Sequence, residues 1–212
     1  MKSWIDARYF EELALATPEQ LCVGGRASHA AGLYRLRVWH DDYIVDGRNR
    51  LVSVIPAALS GAAAKPASQP GMFSLFVIWY LLHPTAIAIS GVWVSEKDFP
   101  GGASFFRGPH QIPTAQISAA CGNDLARFAA ACRARRGEPI AMGDAAFRFA
   151  ITADLVVSVV YWLGDDEFPA TANLLFDQGL VGKLPLDMVF CLACEICDRL
   201  TVAAKNETCS GD

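Results

Sequence analysis

The sequence predicts an α+β fold, a mostly antiparallel sheet with packed helices in a single domain, and three observations carry that prediction. Apolar residues recur at every second position through 33–55, residues 72–82 are apolar almost without interruption, and 5–16, 124–136 and 186–204 space their apolar residues along one helical face. A chain of 212 residues is long enough for one well-buried core and short for two, so 1–212 is expected to be one domain. Charged residues make up 19% of the chain, below the roughly 25% of an average soluble domain, so the interior should be large relative to the surface.

The elements follow in order. Ile5, Tyr9, Phe10 and Leu13 define an amphipathic first helix over 5–16. Thr17 can cap a short second helix, with Pro18 at its first position, Gln20 closing a capping box and Gly24-Gly25 ending it. In 33–55, Tyr34, Leu36 and Val38 take one side and Arg35 and Arg37 the other. Turns at His40-Asp41-Asp42 and Asp46-Gly47-Arg48-Asn49 divide the stretch into an antiparallel meander of three strands. Residues 56–71, rich in Ala, Pro, Ser and Gly, read as a mobile surface loop. The apolar run 72–82 is shorter than the roughly 20 residues a bilayer span takes, and Pro84 follows it, so it reads as a buried helix.

In the second half, 91–95 reads as a strand and Phe99-Pro100-Gly101-Gly102-Ala103 as a loop. Asn123 or Asp124 can cap a helix that ends at Gly137, and its Arg133, Arg135 and Arg136 complement the helix dipole. Two strands are expected at 146–151 and 155–163, the second central because it is nearly all apolar. An acidic loop at 164–170 precedes a final helix over 186–204, and 205–212 reads as a frayed tail.

Charge and cysteine usage narrow the class. The formal charge is −4 and falls mainly on 154–212, which carries 3 basic and 10 acidic residues, so neither a nucleic acid nor a membrane is an expected partner. The first residues lack the apolar core and cleavage site of a secretory signal, and seven cysteines, an odd number, suit reduced thiols. A cytoplasmic location is the expectation.

Three constellations could carry chemistry. Cys191-x-x-Cys194-x-x-Cys197, with Cys209, has the spacing of iron–sulfur loops. On a straight helix, however, residues three apart are turned by about 300°, so the thiols fan out rather than converge. Packing is preferred over an iron–sulfur cluster or metal ion at Cys191, Cys194 and Cys209, with Cys197 in the apolar stripe and Cys191 and Cys194 at its edge. In the acidic loop, repulsion among Asp165, Asp166 and Glu167 can raise one pKa and make Asp166 or Glu167 a general acid or base, or their oxygens can bind a hard cation; a solvated turn is the alternative. Trp93, Gly101 and Gly102 could line a pocket, or the glycines could simply make a tight turn.

Gly91-Val-Trp-Val-Ser-Glu-Lys-Asp-Phe-Pro-Gly-Gly-Ala-Ser-Phe-Phe106 and Gly164-Asp-Asp-Glu-Phe-Pro-Ala-Thr-Ala-Asn-Leu-Leu-Phe-Asp177 resemble the two most recognisable blocks of an uncharacterised domain-of-unknown-function family of anaerobic bacteria and archaea. Some of its relatives look to be joined to a four-cysteine iron–sulfur domain, which implies a setting in anaerobic metal-dependent or one-carbon metabolism. This chain has no separate four-cysteine module. The resemblance rests on Asp165, Glu167, Phe168, Pro169, Asn173 and Asp177, and implies a functional or fold-defining role for that block.

The expectation is a binding or accessory protein that recognises a cofactor, metal or partner protein through the loops at 99–106 and 164–177. Asp165, Glu167, Asn173, Asp177, Trp93, Gly101 and Gly102 are its candidate ligand-binding residues. The alternatives are an enzyme acting on a small substrate through Asp166 or Glu167, and a thiol metal or redox protein.

Overall fold

In the computed structural model, which describes residues 5–57, 66–68 and 71–207, the period-two stretch forms the centre of a five-stranded antiparallel sheet. Its strands β1 (Ala27–Ala30), β2 (Leu33–Val38), β3 (Asp41–Asp46), β4 (Leu51–Ile55) and β5 (Ala67–Ser68) lie side by side in chain order. Leu36, Val38, Tyr43, Val45 and Val52 are buried from its alternating positions. The β2–β3 turn falls one residue earlier than expected. Val38 pairs with Asp41, leaving Trp39 and His40 as a two-residue loop, and both have positive φ, 45° and 71°. That backbone matches the twist of a tight hairpin, and the Trp39 N–H is fixed by the Ile151 carbonyl at 2.6 Å. The next turn is closed by Asp46, whose carboxylate accepts from the Asn49 N–H at 2.9 Å and its side-chain amide at 2.7 Å.

Part of the segment expected as a mobile loop is ordered into the sheet, since Ser68 pairs with Ser53; residues 58–65 and 69–70 lie outside the described residues. Helix α1 (Ala7–Leu15), capped by Asp6, buries Tyr9, Phe10 and Leu13. Helix α2 (Pro18–Leu21) begins as the capping pattern requires, the Gln20 side chain accepting from the Thr17 N–H at 2.9 Å. Helix α3 (Phe73–Leu82) is buried on almost every side, against α1 and β4. Each of its large apolar side chains contributes roughly 2 kcal/mol by leaving water. No helix among the described residues is long and apolar enough to cross a membrane.

The chain gathers into two compact units, and those elements belong to the first, residues 1–86 with 151–153. The second, residues 87–150 and 154–212, is built on the other sheet. Strands β6 (Trp93–Val94), β7 (Glu138–Ile140), β8 (Ala145–Thr152), β9 (Leu155–Trp162) and β10 (Thr171–Asp177) are ordered β6-β10-β9-β8-β7, with β6–β10, β10–β9 and β8–β7 antiparallel. Strand β9 is central and buried along its length except at Trp162, as its composition predicts. Strand β10 was not assigned from sequence, although Ala172, Leu174 and Phe176 alternate into the core.

Four helices complete this unit: α4 (Gly102–Phe105), α5 (Ala115–Cys121), α6 (Leu125–Ala134) and α7 (Leu186–Glu207). Asp124 caps α6 by accepting from the Arg127 N–H at 2.9 Å. Helices α5 and α6 lie against α7, and Phe128 of α6 stacks on Tyr161 of β9 with ring centroids 4.5 Å apart. Helix α7 runs past the expected end at 204, so the proposed tail starts later; 208–212 lie outside the described residues.

Candidate functional site

Strand β6 covers only one end of β10, pairing Val94 with Phe176 and Trp93 with Asp177. From Thr171 to Leu175 no strand among the described residues lies along the outer edge of β10, and two cavities open there. The first, about 550 Å³, lies between Asn173-Leu174 and a wall that includes Glu96, Lys97, Arg107 and Gln111. The second, about 560 Å³, lies between residues 169–173 and the Ala115, Ser118, Ala119 and Gly122 face of α5. Thr114 and Asn173 border both, so the two cavities form one groove.

The wall at Lys97 is shaped by local hydrogen bonding. The Ser95 N–H and hydroxyl donate to the Asp98 carboxylate at 2.7 and 2.9 Å, closing a single 3-10 turn over Glu96–Asp98. Gly101 then takes φ 80°, and a Cβ on buried Gly102 would land on the Glu96 carbonyl oxygen. These glycines therefore build the wall by close backbone approach. Among the described residues no ion pair engages Lys97 or Arg107, so this end of the groove offers two cationic heads against one carboxylate, Glu96.

The acidic segment is the tip of the β9–β10 hairpin and reaches solvent beyond the groove. Asp165 accepts from the Glu167 and Phe168 N–H groups at 2.9 and 2.8 Å, and those donors hold its carboxyl below the ordinary range. The Asp165 N–H returns a bond to the Phe168 carbonyl at 2.8 Å. A Cβ on Gly164 would sit 2.6 Å from the Ala170 nitrogen, so only glycine fits this turn. Asn123 anchors it with two bonds, accepting from the Gly164 N–H at 2.8 Å and donating to the Gly164 carbonyl at 3.0 Å. Asp165, Asp166 and Glu167 are exposed, and none of them lines the groove. Asp166 and Glu167, the candidates for a general acid or base, therefore stand at the open tip outside both cavities.

Asp177 sits at the opposite end of β10, 1% exposed. Its Oδ1 accepts from the Ser90 N–H and hydroxyl, both at 2.9 Å, and from the Gly179 N–H at 2.8 Å; its Oδ2 accepts from the Gly91 N–H at 2.7 Å. Burial pushes this carboxyl up, but the bonds from Ser90, Gly179 and Gly91 together outweigh it and hold the group below the ordinary range. With its oxygens committed to the chain, Asp177 acts as a latch. Trp93, its partner on β6, belongs to the same closure.

Cys121, Cys132, Cys191 and Cys197 are buried, and Cys22 and Cys194 are half-buried. Cys191, expected at the edge of the apolar stripe, is buried, because α7 is enclosed on more than one side. Burial pushes its thiol up to about 12 and that of half-buried Cys194 to about 11, and pushes buried Cys197 upward as well. Cys209 lies outside the described residues. Among the described residues no group of three or more His, Cys, Asp or Glu side chains is placed to hold a metal ion.

Of the residues singled out in the sequence, Asn173 lies in the groove, Gly101 and Gly102 shape the fold beside it, and Trp93 and Asp177 close its far end. Asp165 and Glu167 stand at the hairpin tip. Sequence reasoning missed Lys97, Arg107, Thr114 and the small face of α5. Signals existed for them: Ala115, Ser118, Ala119 and Gly122 fall at i, i+3, i+4 and i+7, and Lys97 and Arg107 flank the 99–106 block.

A family profile with the description "Domain of unknown function (DUF3786)" matches residues 19–199. No curated protein and no solved structure gave a match.

Proposed function

The chain belongs to the DUF3786 family, whose description assigns no activity, and from that premise we propose that it is a binding or accessory protein whose capture surface is the groove along β10. The setting we propose is anaerobic metal-dependent metabolism, with one-carbon chemistry as the candidate branch. The resemblance to relatives joined to a four-cysteine iron–sulfur domain supports that setting. The observation that carries the binding role is Asn173, which sits between two adjoining cavities where the 96–114 wall meets β10.

The lining suits recognition. Lys97 and Arg107 present cationic heads to an anionic group, Asn173 and Gln111 add amides, and the wall of α5 is made of small side chains that leave space. The ligand class is a partner protein or an anionic cofactor.

The test is anaerobic affinity purification of the full chain, wild type beside Lys97→Glu with Arg107→Glu and beside Asn173→Ala, with thermal unfolding of each. The reading expects a ligand or partner that copurifies with wild type and is lost from the variants while their unfolding stays unchanged. Retention of the same ligand by both variants would overturn it.

A further inference from the structure

The two cavities beside β10 differ in chemistry. The lining of the first, about 550 Å³, includes Lys97, Arg107, Gln111, Thr114 and Asn173, each of which can donate a hydrogen bond, and a single carboxylate, Glu96. Among the described residues no side-chain hydrogen bond or ion pair engages any of those five donors. Elsewhere in the same unit polar side chains are committed to the chain, as Asp177 is to Ser90, Gly91 and Gly179, and Asn123 is to Gly164. Lys97, Arg107, Gln111 and Asn173 are exposed and Thr114 is half-buried, so all five can be reached from solution.

The second cavity, about 560 Å³, has no charged side chain in its lining. Ala115, Ala119, Pro169 and Ala170 give it mostly apolar walls, and the amide of Asn123 at its border is already bonded through both atoms to Gly164. Both volumes suit a small molecule. Ala172 and Leu174 are buried, so what β10 presents to a ligand is the exposed Thr171 and Asn173. Thr171 borders the second cavity and Leu174 the first. Three residues of strand span about 10 Å, so a ligand that occupies both cavities is at least that long.

Resting on the binding role above, we propose that the groove takes a small organic anion in two parts: a carboxylate or phosphate head at Lys97 and Arg107, and an uncharged, mostly apolar body that passes Asn173 and lies against Ala115 and Ala119 of α5. Charge selects the head. Two cations against one carboxylate leave the first cavity net positive, and the guanidinium fork of Arg107 fits carboxylate and phosphate oxygens alike. The second cavity selects the body. A charge placed there would leave water with no opposite charge in the lining to meet it, whereas apolar surface is stabilised by leaving water. Thr114 and Asn173 border both cavities and are placed to bond the junction of head and body. A bare inorganic anion would leave the second cavity unused.

The experiment titrates the full chain by calorimetry with naphthyl phosphate and naphthoate, which join either head to one body, with naphthol, which lacks the charge, and with inorganic phosphate, which lacks the body. The proposal expects a naphthyl anion to bind about tenfold or more tighter than naphthol and than inorganic phosphate, and the tighter of the two anions identifies the head. Ala119→Phe, at an exposed position of α5, fills the second cavity and should weaken that anion about tenfold; Lys97→Glu with Arg107→Glu should abolish its binding. Ala115→Phe, one turn earlier on the same face, takes the place of Ala119→Phe if that variant does not fold. Naphthol binding as tightly as either anion would overturn the anionic head. A naphthyl anion no tighter than inorganic phosphate, and indifferent to the phenylalanine, would overturn the two-part ligand. If no probe binds while wild type copurifies with a protein that the charge-reversed variant loses, the small molecule is overturned and the binding role stands; if no probe binds and nothing copurifies, both fall.

Discussion

The two ends of strand β10 are made from similar residues and treated oppositely. At Asp177 the edge is paired by β6, and a carboxylate with 1% exposure is filled by four donors from Ser90, Gly91 and Gly179. From Ala172 to Leu174 no strand among the described residues lies alongside; Ala172 and Leu174 are buried, and the exposed Asn173 between them borders a groove. Burial decides the difference. A polar group removed from water must be satisfied from within the chain, whereas the exposed Asn173 side chain can be left to solvent or a ligand.

The largest expected effect tests the closed end. Asp177→Ala removes the acceptor of four hydrogen bonds from Ser90, Gly91 and Gly179 and empties the buried site of the carboxylate. The loss of stability should be roughly 3–4 kcal/mol, read as a shift in urea midpoint at unchanged slope. A loss under about 1 kcal/mol would break the comparison, since Asp177 would then be no latch.

A smaller effect follows from its charge. Asp177 is held below the ordinary carboxylate range, so its contribution is complete above the unfolded-state pKa, near 4, and is lost as pH falls through the lower folded-state value. Asp177→Asn keeps the shape but turns an amide donor toward an N–H. It should cost about 2 kcal/mol at pH 7, and the gap to wild type should narrow steadily as the pH falls below about 4. A gap independent of pH from 7 to 3 would mean that the carboxylate's charge contributes nothing.

Asn123 offers an intermediate case, because it ties the exposed hairpin tip through both its amide atoms to Gly164. Asn123→Ala should cost roughly 1–2 kcal/mol and speed amide exchange at Gly164 without touching the Asp177 end.

How much of this was legible follows from the range of each interaction. The β2–β3–β4 meander and the α3, α6 and α7 helices were readable because their patterns are local: Tyr34, Leu36 and Val38 alternate, Asp124 caps its own helix, and 72–82 has no polar side for water. Strand β10 was half visible. Leu174, Leu175 and Phe176 all read as core, a run that hides the period of two, and Leu175 is in fact only half-buried. The groove was not legible, since it depends on β6 stopping at Val94 while β10 continues past it, a mismatch in length that leaves no trace in either segment. Nor could the sequence separate Asp177 from Asp165. Both lie in one recognisable block, and only the approach of residues 88–91 makes one of them a latch.

The smallest expected effect concerns the residues that look most chemical in the sequence. Asp166 and Glu167 are exposed at the hairpin tip, where water solvates each carboxylate and the turn is held by Asp165, Gly164 and Asn123. Asp166→Asn with Glu167→Gln should therefore change stability by less than about 0.5 kcal/mol, the usual range for surface substitutions. A ligand that copurifies with wild type should stay with the same pair of substitutions, because exposed charges interact through a screening solvent. Loss of that ligand would move the centre of recognition from the groove to the tip, and would return the acidic loop to the role its composition first suggested.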